Sequence, residues 1–279
     1  MKSFYTFITL ATAFTCLFLV GIVHLAFAQG EVNIEGGPLG EWDLLKSPPE
    51  ADDLNEDHSG VATWITKWYG PNGNYEENGG FHISAPRDLI ADGTNRLLTQ
   101  TKLSTFEGVN LTQKVDVNWP AKNGGKRNWT VFELDPTNQD NMNRNGPADF
   151  IDFYGIIVIN APIEMTSVMS PAHDDYAQIW INGEKWYNNA RWTGGAQKVN
   201  YNIEVKLKKG ANVLLYRCGE SGGAAYVNLH FDKKTHDSVR IYPNKSDSQE
   251  TFFEEIGRAF NVEPAHKLAT TWAIIKKRH

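Results

Sequence analysis

Residues 173–231 read HDDYAQIWINGEKWYNNARWTGGAQKVNYNIEVKLKKGANVLLYRCGESGGAAYVNLHF, and this stretch decides the fold. Over Tyr176–Ile181 every second residue is apolar, with Ala177, Ile179 and Ile181 on one side, which is typical of a β-strand. Asn182-Gly183 supplies the two residues that a type I′ turn needs with positive φ, so Glu184–Tyr187 is predicted to return as the second arm of a hairpin.

The clearest strand is Val199–Leu207, in which every second residue is apolar. After a turn at Lys209-Gly210, the patterns of Val213–Cys218 and Ala225–Phe231 predict two more strands of one antiparallel set. The glycines of the GESGG segment between them would form a hairpin loop. Closely spaced strands with no intervening helices predict an all-β fold, an antiparallel β-sandwich of the jelly-roll kind.

Upstream, Thr130–Leu134 and the strongly apolar Phe150–Asn160 are also predicted strands, the second of them buried on both faces. Residues 61–128 mix aromatic clusters with turn signals, which predicts long loops and short strands. Residues 29–60 are rich in glycine, proline and acids and predict irregular chain around one edge strand at Trp42–Leu45. The sandwich is therefore expected over residues 61–240, with the best support over 150–232.

Residues 241–279 have a helical pattern and form the predicted C-terminal tail. Asp247–Glu250 resembles a capping box, and one face of the following helix is apolar. That face carries Phe252, Phe253, Ile256, Ala259 and Phe260. Pro264 separates a second amphipathic piece that carries Leu268, Trp272 and Ile275. The tail could cap the sandwich or attach the chain to a protein partner.

The chain begins with an apolar run, Phe4–Val23, followed by Ala26-Phe27-Ala28, which predicts a signal peptide over residues 1–28. The expected location is secreted or cell-envelope. An uncleaved signal would instead anchor the chain in a membrane, because the run approaches the length of a bilayer span.

Charge and cysteine content exclude further classes. The net charge is −6 for the 279 residues, which argues against a nucleic-acid partner. Of the two cysteines, Cys16 lies in the predicted signal, so the mature chain would have no intrachain disulfide. We expect Cys218 to face the core as a small apolar group.

The central segment resembles the galactose-binding-like jelly rolls and the related PA14-type domains. The matching pieces are the pair Asp174-Asp175, Ile179–Gly183 and Leu207–Leu215, so the resemblance covers about a third of the chain, residues 150–232. It implies a non-catalytic domain that binds carbohydrate. In several PA14-type members an adjacent acidic pair holds calcium, so the resemblance implies Asp174 and Asp175 as calcium ligands.

Two carboxylates are only part of a calcium site, because calcium takes six to eight oxygen ligands. Loop carbonyls, Asn188 or Asn189 would have to supply the others. In the alternative interpretation, Asp174 and Asp175 cap backbone N–H groups in a solvated turn.

The loop that follows contains flat aromatic rings, side-chain amides and a guanidinium group, the groups that recognise the apolar faces and the hydroxyls of sugars. The predicted ligand-binding residues are Trp186, Tyr187, Asn188, Asn189, Arg191 and Trp192. The alternative is that Trp186 and Trp192 pack in the core.

Gly219–Gly223 fits the pattern G-x-S-x-G, with His173 and the acidic pair upstream. A nucleophile elbow requires a strand that enters a helix, whereas a strand pattern follows here, so we do not expect Ser221 to be catalytic. The sequence names no carboxylate pair for glycoside cleavage and contains no zinc motif.

The function expected from the sequence is an exported, non-catalytic, carbohydrate-binding protein assisted by calcium. Its partner would be a glycan or polysaccharide. Two alternatives stay open. One is a structural or surface-assembly protein of the cell envelope, and the other is a glycan-active hydrolase.

Overall fold

Two β-sheets packed face to face, with a layer of helices on the larger sheet, make up the structure. It is a computed structural model and describes residues 32–33, 37–41, 43–45, 56–144 and 146–260. The predicted signal peptide and the second amphipathic piece of the tail lie outside these residues. No helix among the residues described has the length and apolar character needed to cross a membrane.

The smaller sheet has four strands in the spatial order β1-β13-β9-β15. They are β1 (Val32–Asn33), β9 (Met165–His173), β13 (Asn202–Leu207) and β15 (Val227–Phe231). β9 pairs antiparallel with both β13 and β15.

The larger sheet has the order β11-β10-β14-β8-β3-β7, and two short strands, β4 and β16, also pair with β8. Its strands are β3 (Lys67–Pro71), β4 (Tyr75–Glu76), β7 (Trp129–Glu133), β8 (Ile151–Ala161), β10 (Tyr176–Ile181), β11 (Glu184–Asn189), β14 (Gly210–Glu220) and β16 (Arg240–Tyr242). There are also two small two-stranded sheets. One consists of β2 (Glu56–Asp57) and β12 (Lys198–Val199), and the other of β5 (Val117–Asn118) and β6 (Lys126–Arg127).

The predicted alternation places side chains as expected. Ile179 of β10 and Val205 of β13 point into the main core between the two sheets, where Cys218 also lies buried. The β10–β11 hairpin turns at Asn182 and Gly183, which both have positive φ, at 54° and 86°. The sequence prediction of an all-β antiparallel sandwich is confirmed.

Consecutive strands after the hairpin do not form one antiparallel set, and this part of the prediction was wrong. β13 and β15 belong to the smaller sheet, whereas β14 pairs with β8 and β10 of the larger sheet. The GESGG segment therefore crosses from one sheet to the other and is not a hairpin loop. Alternation shows which side chains are buried, but it does not show which strands become neighbours.

The helix layer covers the outer face of the larger sheet, and the prediction of only loops and short strands over residues 61–128 was wrong there. Its short helices are α1 (Phe81–Ser84), α2 (Leu89–Gly93), α3 (Gln100–Leu103) and α4 (Phe106–Leu111), and a 3₁₀ turn follows at Ala121–Asn123. Their apolar residues form a second core with Ile156, Val158 and Leu215 of the sheet. β8 is consequently buried on both faces, as its sequence predicted.

A short helix, α5 (Lys233–Ser238), precedes the C-terminal helix α6 (Gln249–Phe260), whose apolar face caps the sandwich. Ser248 and Thr251 cap α6 reciprocally, because each backbone N–H donates to the other's side-chain hydroxyl. Phe252 stacks on Tyr69 in the second core. The first amphipathic piece of the tail is therefore part of the folded body.

Arg217 joins the helix layer to the larger sheet. Alternation along β14 turns this side chain to the outer face, where it is fully buried and pairs with Asp152 at 2.9 Å. The guanidinium also donates to the carbonyl oxygens of Ser84 and Arg87 at 2.7 and 2.8 Å. The bond to Arg87 gives that carbonyl a partner. The Ser84 carbonyl also accepts the Arg87 N–H at 2.9 Å.

We expect Arg217→Met to lower the free energy of unfolding by about 3–5 kcal/mol, because it leaves Asp152 charged and buried without its partner. Urea denaturation measures this change. Arg240→Met, at an exposed arginine of β16, is the matched control and should cost less than about 0.5 kcal/mol. Equal effects of the two substitutions would contradict the anchoring role of Arg217.

A pair of buried histidines, His58 and His230, lies on the outer face of the smaller sheet. His58 Nδ1 lies 2.9 Å from His230 Nε2, and the Trp64 ring packs edge-on against His230. Burial lowers the pKa of His230 to about 4.

The lowered pKa of His230 makes the fold sensitive to acid. His230 takes up its proton in the unfolded chain near pH 6.5 but in the folded chain only near pH 4, so stability is lost as the pH falls below 6.5. We expect His230→Gln to reduce the loss of unfolding free energy between pH 7.5 and pH 5 by about 2 kcal/mol. Denaturation at the two pH values tests this, with His82→Asn at an exposed histidine as control. An unchanged pH dependence in His230→Gln would contradict it.

Candidate functional site

Several loops meet at one end of the sandwich, which we call the loop end. They are the Asp174-Asp175 turn between β9 and β10, residues 190–197 after β11, residues 221–226 after β14, and residues 146–150 before β8. The strands that carry these loops belong to both sheets. The loop end therefore collects residues that are far apart in the sequence.

The acidic pair is fixed by its neighbours through backbone hydrogen bonds. The Asp174 N–H donates to the Tyr226 carbonyl at 3.0 Å, and the Asp175 N–H donates to the Gly219 carbonyl at 3.1 Å. One Asp175 carboxylate oxygen accepts the Ser221 N–H at 3.1 Å. Asp175 thus caps a backbone N–H, as the alternative interpretation of the pair expected.

Acidic side chains are concentrated at the loop end. Burial, reinforced by the charge of Asp175, raises the pKa of Asp174 to about 8. Burial also raises the pKa of Glu220 to about 7. Glu220 is fully buried, and among the residues described its carboxyl oxygens face the backbone N–H groups of Gly222 and Phe150 without a well-aligned hydrogen bond. Such a carboxyl group is costly to ionise without a cation nearby.

Within the described part of the chain, no three His, Cys, Asp or Glu side chains are grouped so that they could hold a metal ion. A calcium ion at Asp174 and Asp175 would therefore need backbone carbonyl oxygens or ligand hydroxyls to complete its coordination. The donor set at the loop end is of the kind calcium prefers, since it consists of oxygens, and an ionised Glu220 would add favourable charge.

The predicted aromatic loop separates into a buried and an exposed part. The pairing of β11 with β10 shifts between Ile179 and Trp180, so that Trp186 lies in a β-bulge without a partner. The bulge interrupts the alternation, and both Trp186 and Tyr187 point into the main core. These two residues are not accessible to a ligand, and their prediction as sugar contacts is corrected on that ground.

The side-chain amides of Asn188 and Asn189 form hydrogen bonds within the fold. Asn188 is buried, and its side-chain N–H donates to the Asp43 carbonyl at 2.7 Å, so it too is withdrawn from the predicted ligand-binding set. Asn189 accepts the Arg191 N–H at 3.0 Å and donates to the Tyr187 hydroxyl at 3.0 Å. The Arg191 side chain is exposed. Asp43–Leu45 is irregular rather than the predicted edge strand, although Leu45 bonds to the Asn188 carbonyl.

Trp192 is the predicted aromatic residue that remains available, with 53% of its surface exposed. The next residue, Thr193, donates its N–H to the His173 carbonyl at 2.9 Å, which brings the loop that carries Trp192 next to the acidic pair. Phe150 is 46% exposed and borders a depression of 580 Å³ that Asp149 also lines. Asp149 accepts the Gly223 N–H at 3.2 Å, which connects the depression to the 221–226 loop.

The G-x-S-x-G segment is not arranged as a triad. Ser221 Oγ accepts the Phe81 N–H at 2.8 Å. His173 is buried, and its Nε2 lies 2.6 Å from the Tyr187 hydroxyl while its Nδ1 lies 3.1 Å from the Asp175 carbonyl oxygen. Burial lowers the pKa of His173 to about 3, so the imidazole is neutral.

Sequence reasoning missed three residues of the loop end, namely Asp149, Phe150 and Glu220. Glu220 had a usable signal, since it ends the apolar β14 pattern just before a glycine-rich loop. Asp149 and Phe150 had no such signal. They belong to the loop end only because β8, which they precede, pairs with β14 and brings them next to the 221–226 loop.

No protein-family model matches the chain, and no curated protein matches its sequence. Among solved structures, one likeness is to a family 35 carbohydrate binding module from Clostridium thermocellum, with 18% identity over 41% of this chain and 78% of that chain and a TM-score of 0.20. Another is to a GH31 alpha-xylosidase from Xanthomonas citri, with 11% identity over 70% of this chain and 16% of that chain and a TM-score of 0.22. At these TM-scores neither likeness carries an argument, and the β-sandwich assignment rests on the sheets described above.

Replacing Trp186 and Trp192 by alanine should change the free energy of unfolding by very different amounts. We expect Trp186→Ala to lower the free energy of unfolding by about 3–5 kcal/mol, because it empties a core position. Trp192→Ala should change it by less than about 0.5 kcal/mol, because the ring is largely exposed. Urea denaturation measures both values. A large loss in Trp192→Ala would show that this ring supports the fold and would remove it from the candidate site.

Proposed function

We propose that the chain is an exported, non-catalytic carbohydrate-binding protein whose loop end binds a glycan with the help of calcium. The observation that carries the proposal is an exposed tryptophan, Trp192, on the loop whose Thr193 N–H bonds to the His173 carbonyl just before Asp174 and Asp175. A flat aromatic face packs against sugar C–H groups, and acidic oxygens bind sugar hydroxyls directly or through an ion.

Asp174 and Asp175 would hold the calcium, as the resemblance to PA14-type domains implies, and the buried Glu220 carboxylate would add attraction for it. When bound, calcium supplies open coordination positions for two neighbouring sugar hydroxyls. Trp192 would provide the stacking surface and Arg191 hydrogen-bond donors. Phe150 would extend the apolar contact toward a second sugar unit.

A non-catalytic role is supported by the hydrogen bonds of Ser221 and His173, which engage groups other than each other. No specific observation in the structure favours the surface-assembly alternative. Export is proposed from the apolar N-terminal run, and a mature N terminus at Gln29 on the secreted protein would support it.

Glycan-array screening followed by calorimetry on the captured polysaccharide tests the binding proposal. We expect binding with calcium and its loss with a chelator, because the ion would bridge protein and sugar. Trp192→Ala should weaken binding by about tenfold or more, and Asp174→Asn with Asp175→Asn should abolish its dependence on calcium.

Matched controls lie in the turn at the opposite end of the sandwich, between β8 and β9. Ile163→Ala and Glu164→Gln remove an exposed apolar and an exposed acidic side chain there and should leave binding unchanged. Absence of binding to any glycan, with or without calcium, would contradict the proposal. Release of reducing ends from a bound polysaccharide would favour the hydrolase instead.

A further inference from the structure

A second polar recess lies on the outer face of the larger sheet, between the helix layer and the β10–β11 hairpin. We call it the outer-face groove. It has a volume of 450 Å³, and its floor includes Gln178 and Trp180 of β10, Lys185 of β11 and Gln100 of α3. Alternation turns Lys185 to this face, whereas the loop-end residues project from the ends of the strands.

Two amide side chains in the groove have their orientation fixed from behind. Gln100 Oε1 accepts hydrogen bonds from the Tyr154 hydroxyl at 2.9 Å and from Arg217 Nη1 at 3.1 Å. Gln178 Oε1 faces the same guanidinium nitrogen at 3.5 Å. A guanidinium group can only donate, so both amides must turn their NH₂ groups away from Arg217. Neither NH₂ group has an acceptor among the residues described.

Lys185 adds a cation to this set of donors. It is 92% buried, and its Nζ donates to the Glu41 carbonyl at 2.5 Å and lies 5.1 Å from the centre of the Trp180 ring. No carboxylate among the residues described lies within ion-pair distance of it. The Trp180 indole N–H likewise has no acceptor there. The carboxylates of Glu41 and Asp43 attract Lys185 only from beyond ion-pair distance. A buried ammonium group without a direct ion pair is costly, which favours a negatively charged occupant.

The acidic residues that line the groove form no ion pair with Lys185 among the residues described. Asp88 uses one carboxylate oxygen for the Ala91 N–H and the other for the Gln100 N–H, so it caps helix α2. Glu41 and Glu184 are exposed, at positions where water screens their charge. The buried interior of the groove therefore presents mainly donors.

We propose that the outer-face groove binds the carboxylate of a small polar molecule, with Lys185 as the ion partner and the amides of Gln100 and Gln178 as additional donors. A carboxylate accepts up to four hydrogen bonds, and charge-assisted bonds of this kind are the strong ones. Such a carboxylate could belong to a sugar acid or to a simple dicarboxylic acid. The proposal is independent of glycan binding at the loop end.

The proposed carboxylate site is tested by titrating small molecules into the protein and following the binding by ¹H–¹⁵N NMR. A chelator is present so that calcium at the loop end has no influence. The probes are D-galacturonate, succinate and D-galactose, and the readout is the Trp180 indole resonance, assigned from Trp180→Phe. We expect a saturable shift with at least one acid and none with D-galactose. A response to D-galacturonate alone would identify a sugar acid, and a response to both acids a general carboxylate site.

Lys185→Met should weaken binding of the acid by about tenfold or more, because the charge-assisted bond is lost. Lys206→Met, at an exposed lysine of β13, is the matched control and should bind like the unaltered protein. Should Lys185→Met fail to fold, Gln178→Leu carries the same test. The proposal is overturned if neither acid shifts the resonance, if D-galactose shifts it equally, or if Lys185→Met binds as tightly as the control.

Discussion

The buried ion pair between Arg217 and Asp152 is the constraint on which the outer half of the structure depends. It lies on the face of the larger sheet that a simple sandwich would expose to water. The guanidinium donates to carbonyl oxygens of the segment before α2, and it fixes the amides of Gln100 and Gln178. A single side chain thus holds the helix layer in place and sets the polarity of the outer-face groove.

The two candidate sites differ in the kind of chemistry they present. The loop end presents carboxylates and an exposed aromatic ring, which suit a cation and a sugar. The outer-face groove presents an ammonium group and N–H donors, which suit an anion. Since they lie on different surfaces of the same sandwich, a substitution in one should leave the other intact, provided that the fold is retained.

Strand patterns could be predicted from the sequence where one face is buried, as in Asn202–Leu207. The helices of the outer layer could not, because segments of four to six residues are too short to show a helical period. The bulge at Trp186 explains the error in the aromatic loop. One extra residue in β11 places Trp186 and Tyr187 in the same core, and no pattern in the sequence predicts this bulge.

The central claim is that the loop end is a calcium-assisted binding site beside Trp192. Terbium luminescence tests it directly, because terbium occupies calcium sites formed by oxygen ligands and is sensitised by a nearby tryptophan. The account predicts sensitised emission that calcium displaces, that falls in Trp192→Phe, and that is lost when Asp174 and Asp175 are both replaced by Asn. Absence of sensitised emission, or emission unaffected by these substitutions, would contradict the claim.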